Sequence, residues 1–160
     1  MAVDMFIKIG DIKGESKDKA KKEHIDVLAW SWGVSNSGNA QVGGGAGAGK
    51  VHVQDLSITK YVDSATPPLL LAASNGEHFK EALLTVRKAG KDAVEYIKIK
   101  LEEVLITSLS TGGSGGEDRL TESVTLNFAK VHFDYVPQKD DGKAGTAIPY
   151  CWDIAANVKG

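Results

Sequence analysis

The stretch Val94–Leu109, VEYIKIKLEEVLITSL, decides how this chain folds. Its apolar residues alternate with polar ones and many are β-branched, the period-two pattern of a strand. Ile97, Ile99 and Leu101 share one phase, whereas Val104 and Ile106 share the other. Successive side chains point to opposite faces, so this change of phase predicts a bend or bulge near Glu102-Glu103. Leu120–Tyr135, LTESVTLNFAKVHFDY, has the same arrangement, with Val124, Leu126 and Phe128 in one phase and Val131, Phe133 and Tyr135 in the other. Two long bent strands predict a strongly curled sheet that closes into a barrel or sandwich.

Shorter strands flank these two. Met5–Ile9 places Met5, Ile7 and Ile9 on one face. Ile25–Trp32 sets Leu28, Trp30 and Trp32 on a bulky face, expected to be the core side, and leaves Val27, Ala29 and Ser31 on a small exposed wall. Val51–Ile58, Leu83–Arg87 and Ile148–Val158 read as further strands. One segment breaks the pattern. Thr66–Gly76, TPPLLLAASNG, offers Thr66 as a cap, Pro67 for the first helical position and Asn75-Gly76 as a left-handed terminator. The expected fold is mainly β: one domain over residues 1–160, a two-sheet β-barrel or sandwich with a short flanking α-helix at about 66–76.

Composition narrows the function classes. The length of 160 residues suits one domain. Apolar residues at 42% and charged residues at 25% are ordinary globular values. A net charge of −2 supplies no basic surface for nucleic acid. The longest uncharged stretches are glycine-rich or interrupted by proline, so no membrane insertion is expected. The N-terminal MAVDMFIK has no basic start followed by an apolar run and does not read as a secretory signal peptide. Cys151 is the single cysteine, which excludes an internal disulfide and a multi-thiolate metal site; beside Trp152 it reads as a small buried thiol.

Glycine is the unusual entry in the composition, with 18 residues; seven fall in Gly33–Gly49 and four in Gly112–Gly116. Both stretches imitate enzyme motifs. Gly44–Lys50 approaches the phosphate-cradling GxxxxGK loop, but Val51 stands where the magnesium-binding hydroxyl belongs, and a strand follows where a helix is needed. Gly112–Gly116 matches GxSxG around Ser114, with Asp118 and His132 following in order, yet Leu120–Phe128 is strand-like and the nucleophile elbow requires a helix there. His24, His52, His78 and His132 show no metal-ligand spacing, so no metal or cofactor is expected. Lys17–Glu23 mixes both signs and reads as a solvated loop. No catalytic constellation emerges, and the chain is read as a non-enzyme with strand edges available for self-association.

Read whole, the chain resembles the haemolysin-coregulated protein (Hcp) family, the tube subunit of bacterial type VI secretion systems. The resemblance runs through Met1–Ile9, Lys13–Ser16, Asp26–Gly33, Val53–Ser57, the capped Pro-Leu-Leu helix and Thr107–Asn127, where Ser110–Leu120 is the most specific part. Cys151 departs from it, standing where the family more often has glycine, and so does Lys91 after Gly90.

The resemblance implies a two-sheet barrel with a short helix, assembled as hexameric rings that stack into a hollow tube. It further implies a contractile sheath and a spike as partners, small effector proteins carried and chaperoned in the lumen, and export without a signal peptide. Some relatives carry a toxic domain after the barrel; this chain stops at Gly160, shortly after its last strand, so no toxin extension is expected.

Residue roles follow as expectations. Val27, Ala29 and Ser31 would line the lumen, with Ser31 foremost. The loop Asn36–Lys50, including Gln41, Val42, Gly43, Gly47 and Ala48, would dock on the next ring. Gly112–Gly116 with Ser114, Glu117, Asp118 and Arg119 would lie at a subunit boundary. Two other readings stay open: a monomeric barrel for a small ligand, whose interior Trp30, Trp32, Phe128 and Phe133 would instead tend to fill, and a serine hydrolase using Ser114.

Overall fold

A computed structural model describes residues 3–38, 50–89 and 93–160. Twelve strands and one helix follow in chain order: β1 (Val3–Ile9), β2 (Ile25–Asp26), β3 (Ala29–Ser31), β4 (Val34–Asn36), β5 (Val51–Val53), β6 (Leu56–Tyr61), α1 (Thr66–Asn75), β7 (His78–Lys88), β8 (Glu95–Thr111), β9 (Thr121–Asn127), β10 (Lys130–Tyr135), β11 (Ile148–Asp153) and β12 (Val158–Lys159). The sequence reading ran β5 into β6 and β11 into β12, where the structure separates them.

β8 is the spine. Along one edge it pairs with β7, from His78↔Leu105 to Arg87↔Glu95. Its other edge is shared: the first half pairs with β10 (Phe133↔Ile99) and the second with β9 (Leu109↔Val124). One wing therefore runs β12-β11-β10-β8-β7-β1-β2, and the other runs from β8 through β9 and β6 to β3. β4 and β5 form a separate two-stranded ribbon. Among the described residues no hydrogen-bonded pairing closes the strands into a barrel; β2 and β3, consecutive in the chain, join the free edges of the two wings.

The predicted bend in β8 lies where the phase changes. Ile99 and Leu101 are buried before it and Val104 and Ile106 after it, and Glu103 between them takes φ +55°. A left-handed backbone costs a non-glycine residue about 1–2 kcal/mol. Neighbouring strands crease at the same level. In β7, Phe79 and Ala82 are buried while Lys80 and Glu81 between them are exposed. Between β9 and β10, buried positions step from Phe128 to Val131, and the Ala129 amide bonds to the Glu102 carbonyl at 2.9 Å. The crease turns the two halves of β8 toward one core, which Ile7, Ile58, Leu84, Leu101, Val124 and Leu126 fill with no exposed surface. The space that a small-ligand barrel needs as a cavity is occupied by these side chains.

Ile25–Trp32 departs from its reading. Val27 is 6% exposed and part of the core, whereas Leu28, expected inside, is 39% exposed. The cause is a change of partner. The Val27 amide bonds to Met5 of β1 and the next amide, Leu28, to Thr59 of β6. The chain crosses between wings at that peptide and its inward phase shifts. Trp30 and Trp32 are half-buried; the Trp32 indole donates to the Gln54 carbonyl at 2.9 Å, and its ring stacks on Phe133.

α1 begins at its predicted cap, one residue earlier than expected. Thr66 is the first helical residue, and no side chain caps the helix. Asp63 holds the turn instead, its carboxylate accepting the Ala65 amide at 2.9 Å. Gly76 ends the helix at φ +71°, as read from the sequence. Leu69 and Ala72 face the core, while Leu71 is 60% exposed. The mixed-charge segment is anchored rather than merely solvated: Asp18 pairs with Arg87, and Lys21 with Glu95 at 3.0 Å. Cys151 is half-buried.

Candidate functional site

Strand register assembles a surface that no single segment contains. In the wing β3-β6-β9-β8, Ser31 pairs with Ser57, Ser57 with Thr125 and Thr125 with Ser108. The next row out-facing on the same side is Ala29, Thr59, Ser123 and Ser110. Between these rows the intervening residues point inward: Trp30, Ile58, Val124 and Leu109. The outward rows hold seven hydroxyls and one methyl, and no charge. With strands about 4.8 Å apart, four strands make a wall about 14 Å wide.

One end of the wall is tied by side-chain bonds. A register shift between Ile106 and Ser108 inserts Thr107 as an extra residue, which re-aims its hydroxyl. Thr107 donates to Asp55 at 2.8 Å, and Thr125 meets the Thr107 and Ser108 hydroxyls at 2.7 and 2.6 Å. Asn127 donates to the other Asp55 oxygen at 2.9 Å. At the far end, the Arg119 guanidinium lies 3.7 Å from the centre of the Tyr61 ring. Beneath the wall sits a buried polar cluster: Lys60 Nζ contacts Asp63 at 2.9 Å and Glu122 at 3.3 Å, and the Thr66 hydroxyl donates to Glu122 at 2.5 Å.

The predicted residues are distributed as follows. Ala29 and Ser31 stand in the wall, and Val27 does not, because the partner change buries it. Gln41, Val42, Gly43, Gly47 and Ala48 lie outside the described residues. Ser114, Glu117, Asp118 and Arg119 share the exposed turn between β8 and β9. His132, the third member of the would-be hydrolase set, pairs with Lys100 in the other half of β8 and bonds to Glu102, so it is apart from Ser114. Ser57, Thr59, Ser108, Ser110, Ser123 and Thr125 were not singled out from sequence; each sits in the outward phase of its strand, and only register brings them together.

The outward face of the other wing is charged. Lys100 pairs with Glu81 at 3.6 Å, Lys98 with Glu95 at 3.3 Å, and His132 with Glu102 at 2.6 Å. The His132 hydrogen bond holds the Glu102 carboxyl below its ordinary 4.5. A folded-state value below the unfolded one gives stability that is complete above about pH 4.5 and is lost as pH falls through the lowered value. Glu102→Gln is therefore expected to flatten the acid limb of a denaturation-midpoint-versus-pH curve below pH 4.5, which urea titrations across that range will measure. An unchanged limb would remove Glu102 from the groups responsible.

Comparison with known proteins places this architecture. Residues 6–135 match the family model described as type VI secretion system effector, Hcp. The protein hcp1 of Pseudomonas aeruginosa is 65% identical over 161 residues, covering 99% of each chain. A solved structure described as a type six secretion system protein superposes with TM-score 0.94 at 33% identity, covering 99% of this chain and 100% of that one. The crystal structure of Hcp1 from Salmonella typhimurium gives TM-score 0.82 at 33% identity, with 100% of both chains covered. With its creased two-wing sheet, its short helix and these relatives, the chain belongs to the Hcp family of type VI secretion proteins.

Proposed function

We propose that this chain is a structural subunit of the type VI secretion tube, with no catalytic role of its own. Six copies form a ring, rings stack into a hollow conduit, and the hydroxyl wall faces the lumen. The neutral wall carries the reading, together with family membership. Small side chains keep a bore open, the absence of charge avoids trapping cargo, and hydroxyls keep the surface wet while offering exchangeable hydrogen bonds. Such a lumen suits small effector proteins held transiently and released. The contractile sheath and the spike are the outer and terminal partners, and export proceeds through the machine.

A closed ring of identical subunits joins two different patches head to tail. Arg119, stacked on Tyr61, makes no ion pair within 4.0 Å in its own chain among the described residues. Exposed Val62 and Leu120 adjoin it, joined by an amide–carbonyl bond at 3.0 Å. A preorganised arginine beside apolar surface is the composition of an interface hot spot, which supports the turn carrying Ser114, Glu117, Asp118 and Arg119 as a subunit boundary. The segment proposed to dock on the next ring falls between β4 and β5, which pair at Asn36↔Val51.

Mass measurement in solution with electron micrographs tests the reading. Particles of about six times 17.0 kDa, seen as rings, are expected; a monomer at every concentration would overturn it. Ser123→Arg, which places a long cation in the wall, should leave ring mass unchanged and weaken retention of a small co-expressed effector by about tenfold. Unchanged retention would take the wall out of the lumen.

A further inference from the structure

A cleft of about 350 Å³ opens at the β1–β7 end of the charged wing, lined by Lys8, Gly10, His24, Lys80, Glu81 and Leu83. Among the described residues neither Lys8 nor Lys80 has a carboxylate within 4.0 Å, whereas Lys98 and Lys100 on the same wing each have one. The one carboxylate in the lining, Glu81, is engaged by Lys100 on β8 at 3.6 Å, and neighbouring Glu23 is engaged by Lys13 at 3.8 Å. The His24 Nδ1–H donates to the Lys22 carbonyl at 3.2 Å, which orients the ring, and Nε2 has no protein partner among the described residues.

The floor is fixed as well. Gly10 takes φ +53°, and a Cβ there would lie 2.7 Å from the Phe79 ring, so the position accepts no side chain that could fill the cleft. Leu83 supplies an apolar wall. The lining therefore carries two uncommitted ammonium groups, an imidazole with one free nitrogen, and a net positive charge.

We propose that this cleft binds an oxyanion, a phosphate or carboxylate group, between the Lys8 and Lys80 ammoniums with His24 Nε2 as the third contact. Charge-assisted hydrogen bonds from two lysines to one anion are stronger than neutral ones. The imidazolium donates to a fully ionised anion, and the neutral ring accepts from a hydrogen phosphate. The site lies on the other wing from the hydroxyl wall.

The test uses the full chain with two probes, inorganic phosphate followed by 31P line broadening and N-acetylglutamate followed by saturation transfer. Saturable binding to at least one probe is expected. Lys8→Gln and Lys80→Gln should each weaken it by about five- to tenfold, with circular dichroism unchanged, since both side chains lie at the surface. Tighter phosphate binding assigns a phosphorylated ligand, and tighter N-acetylglutamate binding an acidic side chain of a protein; either supports the site. Absence of saturable binding to both probes, or equal binding by the folded lysine variants, overturns it.

Discussion

Lys60→Ala is expected to lower the unfolding free energy by about 3–5 kcal/mol, the cost of breaking a buried ion pair and leaving its partner uncompensated. Lys60 and Glu122 are directly opposed on β6 and β9, and both side chains are fully buried. The ammonium also bonds to the Tyr61 carbonyl at 2.9 Å and the Thr66 hydroxyl at 3.3 Å, so it ties β6, β9 and the first turn of α1 together. Glu122 has no slack to absorb its loss, because its second oxygen already lacks a partner. Replacing both members, Lys60→Met with Glu122→Leu, removes two of the three buried charges, leaves Asp63 with its Ala65 hydrogen bond, and should recover part of the loss. Urea denaturation of the single and double variants reads this directly. A single-variant loss below about 1 kcal/mol would show that the pair is as weak as an exposed one.

Gly14→Ala is the second large effect, at about 3 kcal/mol by overpacking. A Cβ at Gly14 would stand 2.5 Å from the His24 carbonyl and 2.7 Å from the Ile25 Cα, both backbone atoms that cannot rotate away. The Gly14 amide bonds to Glu23 and the Ser16 amide to His24, so the substitution pushes apart the two legs of the loop that carries Asp18 to Arg87. Gly112→Ala is the control. Nothing lies within 4 Å of a Cβ there, and the change should fall within about 0.5 kcal/mol. Equal denaturation midpoints for the two variants would contradict the close-approach argument.

These two glycines sharpen what the glycine excess means. Gly14, outside both rich stretches, is demanded by the packing of its own subunit. Gly112, Gly115 and Gly116, inside one of them, meet nothing within 4 Å. Only Gly113 in that run is crowded, by Leu120. Composition pointed to the stretches, whereas the steric requirement is set by backbone approach across eleven residues of chain, which no local pattern records.

The creased sheet was legible because a phase change is written in consecutive residues: Leu101 against Val104, Phe128 against Val131. The helix end was legible for the same reason, since Asn75-Gly76 is a local signal. The Val27 error came from a partner change, Met5 to Thr59, that leaves no mark on Ile25–Trp32 itself. Lys60 shares its phase with Leu56 and Ile58, so its inward direction could be read, but its counter-charge is on β9 and appears only with the register. The hydroxyl wall has the same origin. Its eight residues come from four strands, and their common surface is a property of pairing rather than of any one segment.

β8 belongs to both wings, since β7 follows one edge across the crease while β10 and β9 divide the other. Parting the wings means tearing this one ribbon from all three neighbours at once. Load applied to either wing is therefore carried through β8 into the other and shared among its three neighbours.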